Sequence, residues 1–101
     1  MTIYLIARVQ AKAEHRGAVE AELRRMVAAS RAEPGCLRYD LFADLDGGAG
    51  FSLVEAYADP AAVEAHRASA HYQAFRGRIG DWLAAPTVVQ ALTAVDVASG
   101  A

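Results

Sequence analysis

The chain has 101 residues, a net charge of −2 and a hydrophobic fraction of 54%, which allows one domain and excludes a two-domain enzyme. No basic surplus is available to hold a phosphate backbone, which argues against nucleic acid as a partner. Alanine fills about a quarter of the chain and adds little burial per residue. A domain this small buries only about two-thirds of its unfolded surface, so self-association is the first expectation.

No run reaches the roughly 18 apolar residues of a membrane span. Met1-Thr2-Ile3-Tyr4 lacks the charged start of a secretory leader, and the chain turns polar by Arg8. Cys36 is the single cysteine. It can form no internal disulfide, it is expected to be buried, and a reducing cytoplasm suits it. There is no asparagine, so N-glycosylation is excluded.

In chain order, Thr2 to Ala11 predicts a strand. Ile3, Leu5, Ala7 and Val9 share one side, and Tyr4, Ile6 and Arg8 the other. Both sides are largely apolar, the mark of a strand covered on both faces. Arg16 to Ala32 predicts a helix whose stripe is Val19, Leu23, Met26, Val27 and Ser30, stopped by Pro34-Gly35. Cys36 to Ala43 predicts a second strand, with Leu37, Tyr39 and Leu41 alternating with Arg38, Asp40 and Phe42. Asp44 to Gly50 has turn composition. Phe51 to Ala58 predicts a third strand that pairs with the second as a hairpin.

Asp59-Pro60 is a helix start, an N-cap followed by proline at the first position. Helical pattern runs on to Leu83. One straight helix of that length would reach about 36 Å, against about 23 Å for a seven-residue strand. A break is therefore expected near Ala68-Ser69-Ala70, with Ser69 capping a second segment whose stripe is Phe75, Ile79, Trp82 and Leu83. Pro86 opens a last strand, Thr87 to Val97. One domain over residues 1–97 with a short tail, 98–101, is expected.

The order β-α-β-β-α-β predicts an α+β, ferredoxin-like fold, a four-stranded antiparallel sheet with its helices on one face. The other face is apolar too, and a bare apolar face of that size calls for cover. A second copy of the same face is the simplest cover, which predicts a homodimer with sheets packed back to back.

Two stretches carry a family likeness: Ser30-Arg31-x-Glu33-Pro34-Gly35-Cys36-x-x-Tyr39, and Phe51-x-x-x-Glu55-x-Tyr57-x-Asp59-x-x-Ala62-x-x-x-His66-x-x-Ser69-x-His71. Almost the whole chain resembles the antibiotic biosynthesis monooxygenase domain of the dimeric α/β barrel superfamily, nearest its quinol monooxygenase branch. The resemblance implies a homodimer that oxidises a quinol, anthrone or similar dihydroxyaromatic with O₂ and without a cofactor. Haem degradation, another activity of the superfamily, implies an asparagine on the first strand, which this chain lacks. A non-catalytic small-molecule binding module and a cofactor-free isomerase of a small carbonyl compound are the alternatives.

His66 is the first candidate catalytic residue. It lies near the stripe that faces the sheet, and an imidazole there can act as base or proton carrier. Glu55 and Tyr57 share one face of the third strand. A carboxylate among Phe51, Leu53 and Tyr57 is partly desolvated, which raises its pKa. It could instead orient His66, or simply pair with Arg8 or Arg38. Tyr39, Phe42, Tyr72, Phe75 and Trp82 suggest a pocket for a flat substrate, with Arg8 or Tyr57 stabilising the substrate anion; taken singly, each aromatic reads first as plain core. Ser30, Arg31 and Glu33 read as a helix end and turn. On one continuous helix His66 and His71 would lie about 140° apart, which argues against a metal site. No flavin, nicotinamide, haem or metal motif is visible, and Gly47-Gly48-x-Gly50 reads as a hairpin turn.

Overall fold

The computed structural model describes residues 1–98. Its elements are β1 (Ile3–Gln10), α1 (Arg16–Arg31), β2 (Cys36–Ala43), β3 (Gly50–Tyr57), α2 (Pro60–Ala68), α3 (Ala70–Ile79) and β4 (Val88–Leu92). Single 3-10 turns, Ala13–His15 and Gly80–Trp82, lead into α1 and out of α3. The strands form one antiparallel sheet in the order β2-β3-β1-β4, with the helices on one face. This is the α+β, ferredoxin-like architecture expected of the sequence. No helix among the described residues is long and apolar enough to cross a membrane.

Alternation along the strands sorts the two faces. Leu5, Ala7 and Val9 of β1 and Phe51, Leu53, Glu55 and Tyr57 of β3 are buried beneath the helices. The α1 stripe meets them with Val19, Leu23, Met26 and Ser30. Tyr4, Ile6 and Arg8 turn to the open face. Across that face the register sets Ile6 beside Val54 and Gln90, and Tyr4 beside Ala56 and Leu92.

The long helical stretch breaks at Ser69. The Ser69 hydroxyl donates to the His66 carbonyl at 2.6 Å and accepts from the Tyr72 amide at 3.2 Å, closing α2 and opening α3 with one side chain. Asp59 caps α2 by accepting from the Ala62 amide at 2.8 Å. The last strand is shorter than the sequence suggests. Leu92 pairs with Tyr4, so the register leaves only Ile3 of β1 beyond the last pair, and residues 94–98 run past the start of β1. Of the expected tail, residues 99–101 lie outside the described residues.

Gly35 governs the approach of the α1–β2 turn to α2. A Cβ on it would stand 2.4 Å from the Ala62 Cβ, and the Gly35 carbonyl accepts from the Ala58 amide at 2.9 Å. Gly35→Ala should therefore cost about 1–3 kcal/mol through overpacking. The measurement is the urea midpoint, which should fall with an unchanged denaturant slope.

Candidate functional site

Between the helix-facing side of the sheet and the helices lies a cavity of about 440 Å³. Its floor is Leu5, Ala7, Val9 and Leu53, and its walls include Met26, Tyr39, Tyr72, Phe75, Ile79 and Val89. Its charged and titratable lining residues are Glu55 of β3, His66 and Arg67 of α2 and Arg76 of α3.

His66 is 2% exposed and is held in place from several sides. Its ring lies 5.6 Å from that of Tyr39, 5.3 Å from Tyr57 and 5.0 Å from Tyr72, centroid to centroid. Its Nδ1 is 2.9 Å from Glu33 Oε2. The same oxygen is 2.6 Å from His71 Nε2. An ionised carboxylate only accepts, so both ring nitrogens donate to Glu33. With its proton on Nδ1, neutral His66 keeps a lone pair on Nε2, which has no protein partner among the described residues. The imidazole thus lines the cavity while Glu33 fixes its Nδ1 edge, an arrangement able to accept a proton at Nε2.

This arrangement overturns two expectations. Glu33 is not merely part of a turn, and the histidines are not held apart. The spacing argument assumed one helix. The break at Ser69 gives His66 and His71 separate axes, and their nitrogens converge on one carboxylate. The three donor atoms lie within 4.8 Å of one another, so this is the donor set able to accept a divalent cation. Glu33 orients His66; Glu55, the candidate for that task, is engaged elsewhere. It accepts from the Tyr57 hydroxyl at 2.6 Å.

Burial pushes the Glu55 carboxyl upward, against the Tyr57 hydrogen bond and the positive potential of His66 and Arg67. Tyr57 is raised by burial and then by Glu55, and Tyr39 is raised by burial and then by the Glu55 charge. Both phenols therefore stay protonated. Tyr57 acts as a donor to Glu55 rather than as a base, and it does not line the cavity.

Of the other candidates, Tyr39, Tyr72 and Phe75 line the cavity. Arg8 and Phe42 do not: both lie on the open face, where Arg8 pairs bidentately with Asp44. Gly50 makes room for that pair, since a Cβ there would stand 2.2 Å from an Arg8 guanidinium nitrogen. Trp82 stacks on His15 at 5.9 Å, outside the cavity lining. Cys36 is half-buried, and its Sγ donates to the Arg38 carbonyl at 3.4 Å. Sequence reasoning passed over Glu33 as a site residue, although it sits in the first of the two motif stretches. It also passed over the lining residues Arg67 and Arg76.

Fold and cavity together define a ferredoxin-like α+β protein with an internal chamber between sheet and helices. The antibiotic biosynthesis monooxygenase family profile matches residues 2–78, and the chain belongs to that family. It is 38% identical over 97 residues to the Mycobacterium tuberculosis protein named "Putative monooxygenase Rv0793", covering 96% of this chain and 95% of that one. It is 36% identical over 84 residues to "Putative monooxygenase YcnE" of Bacillus subtilis, covering 83% and 88%. The solved structure of Rv0793 superposes with a TM-score of 0.93 at 37% identity, covering 98% of this chain and all of that one. PA3566 from Pseudomonas aeruginosa superposes with a TM-score of 0.88 at 36% identity, covering 94% and 95%.

The raised Glu55 carboxyl gives a pH-dependent outcome. A group easier to protonate in the folded chain favours folding below the unfolded value of 4.5, and that contribution fades as pH climbs through the raised value. Glu55→Gln cannot ionise. Relative to the parent it should gain stability between pH 4.5 and neutrality, read from denaturant midpoints at a series of pH values. A constant offset between the two proteins across that range would contradict it.

Proposed function

We propose that this protein is a monooxygenase that oxidises a quinol or anthrone-like dihydroxyaromatic with O₂, using the substrate itself as the electron source. The observation that carries the reading is His66: Nδ1 held by Glu33, Nε2 unpartnered, the ring lining an apolar cavity. The family supports oxygenation; the residues supply a route to it.

A substrate hydroxyl placed against Nε2 gives up its proton to His66. The Glu33 carboxylate then faces an imidazolium and stabilises it through Nδ1. Lowering a phenol from a pKa of about 10 to about 7 requires about 4 kcal/mol, within reach of two charge-assisted hydrogen bonds at about 1.5–3 kcal/mol each. Glu55 is the second polar group at the ligand. Its raised pKa lets it keep a proton to higher pH than a solvated glutamate, and so donate to the substrate oxygen. The electron-rich anion reduces O₂. For a quinol, one oxygen atom enters the ring to give a hydroxyquinone and the other leaves as water, which balances atoms and electrons without an added reductant. Arg8 and Tyr57 have no part in this route, the first lying behind the sheet and the second donating to Glu55.

His66→Ala should lower O₂ uptake with a hydroquinone substrate by about 10²–10⁴-fold. Glu33→Gln should lower it by about 10–100-fold, since it leaves the base but loosens its orientation. Unchanged uptake in His66→Ala would remove His66 from the mechanism. Turnover of the same compound without O₂ would point instead to isomerisation.

We propose further that the open face of the sheet packs against a second copy. Ile6 is 37% exposed, Leu92 40% and Val88 60%, and the strand register joins them to Tyr4 and Val54 in one patch. Ile6→Glu should shift sedimentation at micromolar concentration from dimer to monomer. A parent protein that already sediments as a monomer would overturn the pairing.

A further inference from the structure

The arginines of this chain divide into two groups. Seven hold a carboxylate at 3.2 Å or closer: Arg8 with Asp44, Arg16 and Arg24 with Glu20, Arg25 and Arg78 with Glu22, and Arg31 and Arg38 with Asp40. Two do not. Arg67 reaches only Glu64, at 3.9 Å, and Arg76 has no ion pair among the described residues. Those two are also the arginines that line the cavity.

Their positions relate directly to the base. Arg67 follows His66 on α2. Arg76 stands over the Tyr72 ring at 6.0 Å, and the His66 ring lies 5.0 Å from the same ring. Tyr72 thus touches both the proton acceptor and a cation. The carboxyl within the cavity, Glu55, forms no ion pair with either arginine among the described residues; its hydrogen bond is from Tyr57. The positive potential of Arg67 does reach it and opposes the effect of its burial. A chamber with an apolar floor, an imidazole and two lining arginines without close counter-ions is complementary to an amphiphilic anion.

We infer that the ligand of this cavity is an aromatic acid: its ring system lies on Leu5, Ala7, Val9 and Leu53, its hydroxyl meets His66, and its carboxylate is bound by Arg67 and Arg76. This deepens the proposed oxidation by assigning the substrate an anionic group, and it rests on that reading for the placement of the hydroxyl. Guanidinium groups suit the task, since their planar donor fork matches a carboxylate bidentately.

The test separates the two claims. Binding of 5,8-dihydroxynaphthalene-2-carboxylate and of its methyl ester is measured by calorimetry without oxygen, so that no turnover is needed. The acid should bind the parent protein at least about tenfold more tightly than the ester, a difference of 1.4 kcal/mol. The preference should shrink as salt is raised, because both arginines are partly solvated. The Arg67→Gln/Arg76→Gln double variant should bind the ester as the parent does and lose the preference for the acid. Absence of an acid preference, whether both compounds bind alike or neither binds, overturns the inference. A preference that survives in the double variant also overturns it. Arginine-dependent binding of the acid with no O₂ uptake on admitting air supports the anionic ligand while removing the oxidation. Oxidation of the ester as efficiently as the acid retains the oxidation and removes the anionic requirement.

Discussion

One carboxylate holds the site together. Glu33 Oε2 lies within hydrogen-bond distance of His66 Nδ1 and His71 Nε2, and so ties the turn after α1 to the end of α2 and the start of α3. A nearly fully buried imidazole without such a partner would be a polar group in an apolar setting, costly to keep and free to rotate. With Glu33 behind it, the ring has one orientation and one tautomer. Two local features make the contact possible. Gly35 lets the turn approach α2 at the Ala62 Cβ, and Ser69 redirects the chain so that His71 points back at the oxygen that His66 uses.

Most of the architecture could be read from periodicity and punctuation. The strand alternations, the α1 stripe, the Asp59-Pro60 start and the break at Ser69 each follow from local chemistry, and each stands where expected to within a residue or so. The last strand does not. Its alternation continues to Val97, but a strand also needs a neighbour, and β1 begins at Ile3. Pattern along the chain carries no information about where the partner strand runs out.

The site was less legible, for a related reason. Strand parity already placed Phe42 with Arg38 and Asp40, away from Tyr39, and Arg8 with Tyr4 and Ile6, away from Leu5. Residue type drew both toward the pocket, and parity decides otherwise. Trp82 belongs to a 3-10 turn, where helical stripes no longer apply. Glu33 and its histidines are separated by more than thirty residues in sequence, and no spacing rule spans two helices and a turn. The signal available was indirect: Glu33 lies in one motif stretch, and His66 and His71 lie in the other.

The sheet is a partition one residue thick. In β1 the odd-numbered side chains form the chamber floor and the even-numbered ones form the outer wall, and β3 follows the same rule in register. Because side chains alternate with a period of two, loss of Ala7, with the residues before it held in place, would turn Arg8 inward and send Val9 out. Such a deletion would put a guanidinium on the chamber floor and strip Asp44 of its cation in the same stroke. Length variation in this protein is thereby confined to its connections, while the two middle strands tolerate replacement of side chains but no change in their number.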